Sequence, residues 1–288
     1  MAIKTVLVPV TGTSADLAAL RCAFTVGRTH DAHVNALFVR SDPRDAIPML
    51  GEGLSGALVE EITEAARVRA DDEAHAARRG FDEVVAEFDV PIVQRADGVT
   101  RFSVGWSDIT GRTEDVVVQT GRLSDVLVFA HAAADSTSPA FVTLQTALMS
   151  AGRPLLLAPA KSWPAIGSTI ALAWNGQAES ARAVFGAMPF VRKAKAVHIL
   201  TVATMRTKGS AAEQLSDYLA WHGIATEVHE LNAQSEPVGA LILRQSAVVG
   251  ANLLVMGGYG HSRVRELILG GVTRYVLTNT AMPVLMSH

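Results

Sequence analysis

Residues 257–273 hold the groups in this chain best suited to chemistry. Gly257, Gly258, Gly260, Gly270 and Gly271 lie between an apolar run, Leu253–Met256, and a helical pattern that begins near Val272 and Thr273. A residue without a Cβ reaches positive φ and lets the main chain approach an anion closely. The first N–H groups of a helix have no partner inside it, and the helix dipole favours negative charge there. A strand, a glycine turn and a glycine-marked helix start, in that order, therefore make a site for phosphate. Thr273 adds a hydroxyl donor. His261 follows the turn and can touch a phosphate, but it has no paired acid and gains no catalytic role from its position. Arg263 and Arg265 read as solvated surface.

These groups need a scaffold, and the chain repeats one. Val6–Gly12 aligns with Ile170–Gly176, Asp125–Phe129 with Asn252–Met256, and Arg153–Leu157 with Met282–Met286. Three matched apolar runs in one order imply two copies of a domain, 1–160 and 161–288. Between them, the stretch from Pro159 to Gly167 holds two prolines and a glycine and reads as a linker. In the second copy, strands are expected near 169–174, 196–202, 225–230, 252–256 and 283–287, with helices near 178–187, 210–222, 235–250 and 272–280. Alternating strands and helices, with nearly continuous apolar strands, predict an α/β fold with a parallel sheet covered on both faces. The first copy is longer between about 41 and 89. There Ile62, Ala65, Ala66, Ala77, Phe81, Val84, Val85 and Phe88 recur at helical spacing, predicting a long helix with one packed face. The loop before it, Ser41 to Gly56, is expected to be mobile.

The pattern Gly257-x-x-Gly260, nine residues, then Gly270 resembles the universal stress protein family, whose ATP-binding members carry it followed by Ser or Thr. Here Gly271 follows, and the hydroxyl comes at Thr273. The resemblance implies two tandem five-stranded domains with helices on both faces. Each would be Rossmann-like, of the adenine nucleotide alpha hydrolase type, with strand order 3-2-1-4-5. The halves would pack as an internal pseudo-dimer through their last strands, Leu155–Ala158 and Val284–Ser287. It further implies ATP, or ADP or AMP, in the C-terminal copy, with Mg2+ able to accompany it. Asn175 stands where the family has an Asp near base and ribose. Val202 stands where a backbone group meets the adenine edge, and Ala173 where proline is common. Met256 would pack on sugar or base, while Trp174 either stacks on a base or packs the strand end. Gly257 and Gly260 would clear the phosphate path, and Gly270, Gly271, Val272 and Thr273 would present donors. In the first copy, Ala130-His131-Ala132-Ala133 replaces the glycine turn and Thr11 the acid, so no nucleotide is expected there. The implied role is regulatory, in stress response. The rival reading is a scaffold or interaction protein that uses no nucleotide. Slow hydrolysis is a third.

Composition narrows the remaining options. Apolar residues make up 49% of the 288 and charged residues 18%, which suits packed cores and opposes disorder. A net charge of −3 with no basic block argues against a nucleic-acid partner. Cys22 is the only cysteine, so no internal disulfide forms and a reducing compartment fits. No apolar stretch nears the roughly 20 residues a bilayer span requires, and a cytoplasmic protein with no membrane partner is expected. A homodimer through other surfaces stays open. No G-x-x-x-x-G-K-[ST], G-x-G-x-x-G or G-x-S-x-G occurs. His30 and His33 lack partners at ligand spacing, and no metal site is expected.

Overall fold

A computed structural model describes residues 2–42, 56–131, 138–161, 163–202, 210–233, 235–259 and 271–288. In the N-terminal half, strands β1 (Thr5–Val10), β2 (His33–Arg40), β3 (Ser103–Thr110), β4 (Val126–Ala130) and β5 (Leu155–Ala158) alternate with helices α1 (Ala15–His30), α2 (Gly56–Phe88), α3 (Thr113–Gly121) and α4 (Pro139–Ser150). The C-terminal half repeats this with β6 (Thr169–Ala173), α5 (Ala178–Val191), β7 (Ala196–Val202), α6 (Ser210–Trp221), β8 (Glu227–Leu231), α7 (Val238–Val248), β9 (Leu253–Gly257), α8 (Gly271–Asn279) and β10 (Val284–Ser287).

All ten strands form one sheet, ordered β3-β2-β1-β4-β5-β10-β9-β6-β7-β8. Each half therefore has the expected order 3-2-1-4-5. Neighbours within a half run parallel, whereas β5 and β10 pair antiparallel with Leu156 opposite Leu285. Residues Leu155–Ala158 and Val284–Ser287 are all buried. Burying a leucine contributes about 1.5–3 kcal/mol, so this seam is stabilised by packing as well as by ladder hydrogen bonds. It also removes two exposed sheet edges.

Residues of α1, α2, α5 and α6 pack on one face of the sheet; those of α3, α4, α7 and α8 pack on the other. Strand side chains alternate between these cores, as the pleat demands. Cys22 is buried in the first core, and burial pushes its thiol up to about 12, which suits a packing role. Among the described residues, no helix is long and apolar enough to cross a membrane.

Two local expectations need correction, and a third is not tested. The long helix exists, but its buried residues begin at Ala70 and continue through Ala74, Ala77, Phe81 and Val84. Ala65 is exposed and Ile62 and Ala66 only half-buried, so the N-terminal turns project past the core. Helix α5 runs to Val191, beyond the expected 187, with Pro189 inside it. Pro189 denies a hydrogen bond only to the carbonyl four residues back, and that residue, Phe185, is 61% exposed where water can serve. The loop expected to be mobile, Ser41 to Gly56, falls largely outside the described residues.

Candidate functional site

In the C-terminal half the sheet order reverses between β6 and β9, which pair in parallel with Ala173 opposite Met256. One crossover from this point leads toward β7 and the other toward β10. The loops leaving the two strands therefore diverge and open a crevice at their carboxyl ends.

On the β6 side, the Trp174 amide donates to the Leu200 carbonyl at 2.9 Å, extending the ladder past Ala173. The Trp174 indole N–H donates to the Ala211 carbonyl at 2.9 Å in the first turn of α6. Of the two readings of Trp174, the packing one matches this contact, because the ring is tied to a helix. Asn175 turns its Oδ1 toward the Gln177 amide, which donates to it at 3.0 Å. Gly176 sits at φ +73°, the left-handed region that favours glycine. Together they turn the chain sharply into α5.

On the β9 side, Gly257 serves packing. A Cβ there would lie 2.6 Å from Glu179 Cγ and 2.7 Å from the Ser180 amide nitrogen. The sequence assigns Gly257 to clearing a phosphate path; the close approach of α5 also requires glycine there. The Gly258 amide donates to the Ser287 carbonyl at 2.8 Å. A Cβ on Gly258 would come 3.1 Å from Leu148 Cδ2, so the N-terminal half's α4 forms one wall of this turn. Tyr259 adopts φ +60°, uncommon for a side-chain-bearing residue. Its amide donates to Thr273 Oγ1 at 3.5 Å, linking the turn to α8.

Two buried polar groups at this end lack hydrogen-bond partners among the described residues: Glu179 Oε1 and the Tyr259 hydroxyl. Such orphans carry a desolvation cost and call for an explanation. Burial pushes the Tyr259 phenol up to about 12, so it stays a neutral donor.

Of the remaining sequence-designated residues, Gly271 opens α8 and a Cβ there would meet nothing within 4 Å among the described residues. Val272 is half-buried and Thr273 buried. Val202 closes β7. Met256 is only 4% exposed and belongs to the core on the α7–α8 face, so its surroundings are chiefly protein. Gly260, His261, Gly270, Arg263 and Arg265 lie outside the described residues. The structure thus brings Ala173, Trp174, Asn175, Met256, Gly257 and Thr273 to one end of the β6–β9 pair.

The equivalent end of β1 is filled. Asp16 is 5% exposed, and its carboxylate accepts from the amides of Thr11 at 2.8 Å, Gly12 at 2.7 Å and Thr13 at 3.1 Å. Burial raises its pKa against those bonds. A Cβ on Gly12 would lie 2.6 Å from the Glu73 carbonyl oxygen, so α2 covers the loop. An internal anion already uses these donors. The spacing Thr11–Asp16 is the signal that could have revealed it.

The sequence offers no metal site at His30 and His33, and the structure draws a different set of residues together. His30 and His33 go separate ways: His30 is buried against Phe190, and His33 pairs with Ser103 at 3.0 Å. His198, Glu227 and His229 do converge, across β7 and β8. Glu227-x-His229 is a same-face pair on a strand. It needed the register with His198 to be read as a cluster.

Residues 168–288 match the model of the universal stress protein family. That half of the chain is therefore similar to the universal stress protein family. A universal stress protein of Synechocystis sp., Slr1230, is 35% identical over 92 residues, a stretch that is 31% of this chain and 31% of the relative. The match thus spans about a third of that relative's length. Among solved structures, a universal stress protein from Archaeoglobus fulgidus covers 98% of this chain and 95% of its own, with TM-score 0.64 and 16% identity. A functionally unknown protein from Pseudomonas aeruginosa covers 99% and 92%, with TM-score 0.57 and 14% identity. At these identities the likeness shows the fold, and it extends over both halves.

Proposed function

We propose that the C-terminal universal stress protein domain binds ATP or a related adenine nucleotide (ADP or AMP), and that binding regulates partner choice in a stress response. The observation that carries this reading is the reversal of strand order between β6 and β9, with α8 starting at Gly271 beside it. Open parallel sheets take ligands at that point, and among the described residues nothing lies within 4 Å of a Cβ built at Gly271, which favours an anion at the helix start. Glu179, in the first turn of α5, packs against Gly257 at the carboxyl end of β9, where the phosphates would sit. A buried carboxyl there repels bare phosphate, so Mg2+ travelling with the nucleotide would offset it. No base, activated water or dedicated lysine is apparent among the described residues, and hydrolysis is expected to be slow or absent. A cytoplasmic location and a homodimer form part of the same reading.

A nucleotide-independent scaffold is the second reading, and specific contacts favour it. Trp174, Asn175 and Gly257 each have an internal partner that accounts for them. One experiment separates the two. The thermal midpoint is measured with and without ATP, ADP and AMP, each with Mg2+, and the purified protein is extracted for mass spectrometry of small molecules. A ligand at a hundred times its Kd stabilises by about 2.7 kcal/mol. A shift of that order with one adenine nucleotide supports binding. No shift with any, and no extracted nucleotide, favours the scaffold.

A further inference from the structure

His198 lies on β7, and Glu227 and His229 on the edge strand β8. The register places His198 opposite Glu227 and Leu200 opposite His229. Side chains alternate along a strand, so all three rise from the face that carries Leu200 toward α7 and α8. His198 Nδ1 and His229 Nε2 lie 3.1 Å apart. Glu227 reaches both, with Oε2 3.4 Å from His198 Nδ1 and Oε1 3.7 Å from His229 Nε2. The histidine side chains are 14% and 19% exposed and that of Glu227 is 66%.

We propose that His198 Nδ1, His229 Nε2 and the Glu227 carboxylate bind one divalent transition-metal ion of the zinc class. Zinc bonds to imidazole and carboxylate run about 2.0–2.2 Å, so tetrahedral ligand atoms stand roughly 3.3–3.6 Å apart. The two nitrogens stand 3.1 Å apart and Glu227 reaches them through different oxygens, at 3.4 and 3.7 Å, so one ligand atom from each residue lies within 4.8 Å of the others and a small turn of the exposed carboxylate would bring a single oxygen to the ion. Two imidazoles favour zinc, cobalt, nickel or copper over magnesium, which prefers oxygen. Exposure of Glu227 leaves the fourth position to water. The cluster lies in the first half of β7, whereas Val202, at the nucleotide end, is the last residue of that strand. The metal site is therefore separate from the crevice at β6 and β9. Binding would tie the sheet's edge strand to its neighbour, and any proton shared between the two rings leaves to solvent.

The test uses the full chain, free of any histidine tag and stripped with EDTA, titrated calorimetrically with Zn2+ and spectroscopically with Co2+. One equivalent of Zn2+ and a visible Co2+ band of tetrahedral intensity are expected, with Mg2+ in excess failing to compete. Glu227→Gln, an exposed change that spares the core, should weaken Zn2+ by roughly tenfold or more. His198→Ala with His229→Ala should abolish the Co2+ band. Absence of stoichiometric Zn2+ binding in the parent chain overturns the proposal. So does binding that the Glu227 variant and the double histidine variant leave unchanged, or displacement of Zn2+ by Mg2+.

Discussion

The imidazole of His30, at the end of α1, meets the ring of Phe190, in α5, edge to face at 4.9 Å. The contact joins the two halves. His30 is 6% exposed and its Nε2 has no hydrogen-bond partner among the described residues. Burial, with Lys193 and Lys4 nearby, lowers its pKa to about 4 from an ordinary 6.5. The unfolded chain thus binds more protons than the folded one between those values, and stability must fall as pH drops through that window. Thermal midpoints should decline from pH 6.5 to pH 4, and His30→Gln should flatten the decline. An unchanged pH profile in that variant would remove His30 as its cause.

Gly257 and Gly271 should separate packing from binding. Gly257→Ala inserts a methyl against Glu179 and Ser180, and overpacking of this kind costs about 1–3 kcal/mol. Denaturant midpoints should drop with or without nucleotide. Gly271→Val meets open space, so the ligand-free midpoint should hold while the shift produced by nucleotide shrinks. Equal loss of ligand-free stability in both variants would refute the distinction.

Asp16→Ala should cost about 1–3 kcal/mol, since three amides lose their acceptor in a covered loop. Asp16→Asn keeps an acceptor oxygen and should cost less. Chemical denaturation at neutral pH reads both, and an Ala variant as stable as the parent would count against the plug.

Leu285→Ala empties the middle of the seam opposite Leu156. Leucine truncation in a core costs about 2–5 kcal/mol. A single cooperative transition, lowered by that amount, is expected in urea unfolding. A loss below about 1 kcal/mol would mean that the seam tolerates the cavity.

Glu179→Gln should strengthen nucleotide binding in EDTA more than in Mg2+, because it removes the buried carboxyl that the cation would otherwise offset. Calorimetric titration with ATP under both conditions measures the difference. An identical change under both would sever Glu179 from the phosphate end.

Much of the scaffold is written in local pattern. The runs at 196–202 and 283–287 read as strands because they are short, mostly apolar and flanked by turn residues. The Gly257 turn is equally visible, but its reason is not. A glycine placed to admit a helix and one placed to admit a phosphate look alike until the neighbour at Glu179 is known. Trp174 and Asn175 show the same limit, since their partners Ala211 and Gln177 follow from how the loop folds. The cluster at His198 stayed hidden because strand register, which sets who stands opposite whom, is not a property of either strand alone.

The antiparallel junction of β5 with β10 has a geometric corollary. Strands of one half point up where those of the other point down, so the loop at Gly12 and the loop at Gly176 open on opposite rims. Nothing small enough to fit one rim is within reach of the other. Any conversation between the halves must travel through the packing they share, from the β5–β10 leucines to the His30–Phe190 contact, not through a common guest.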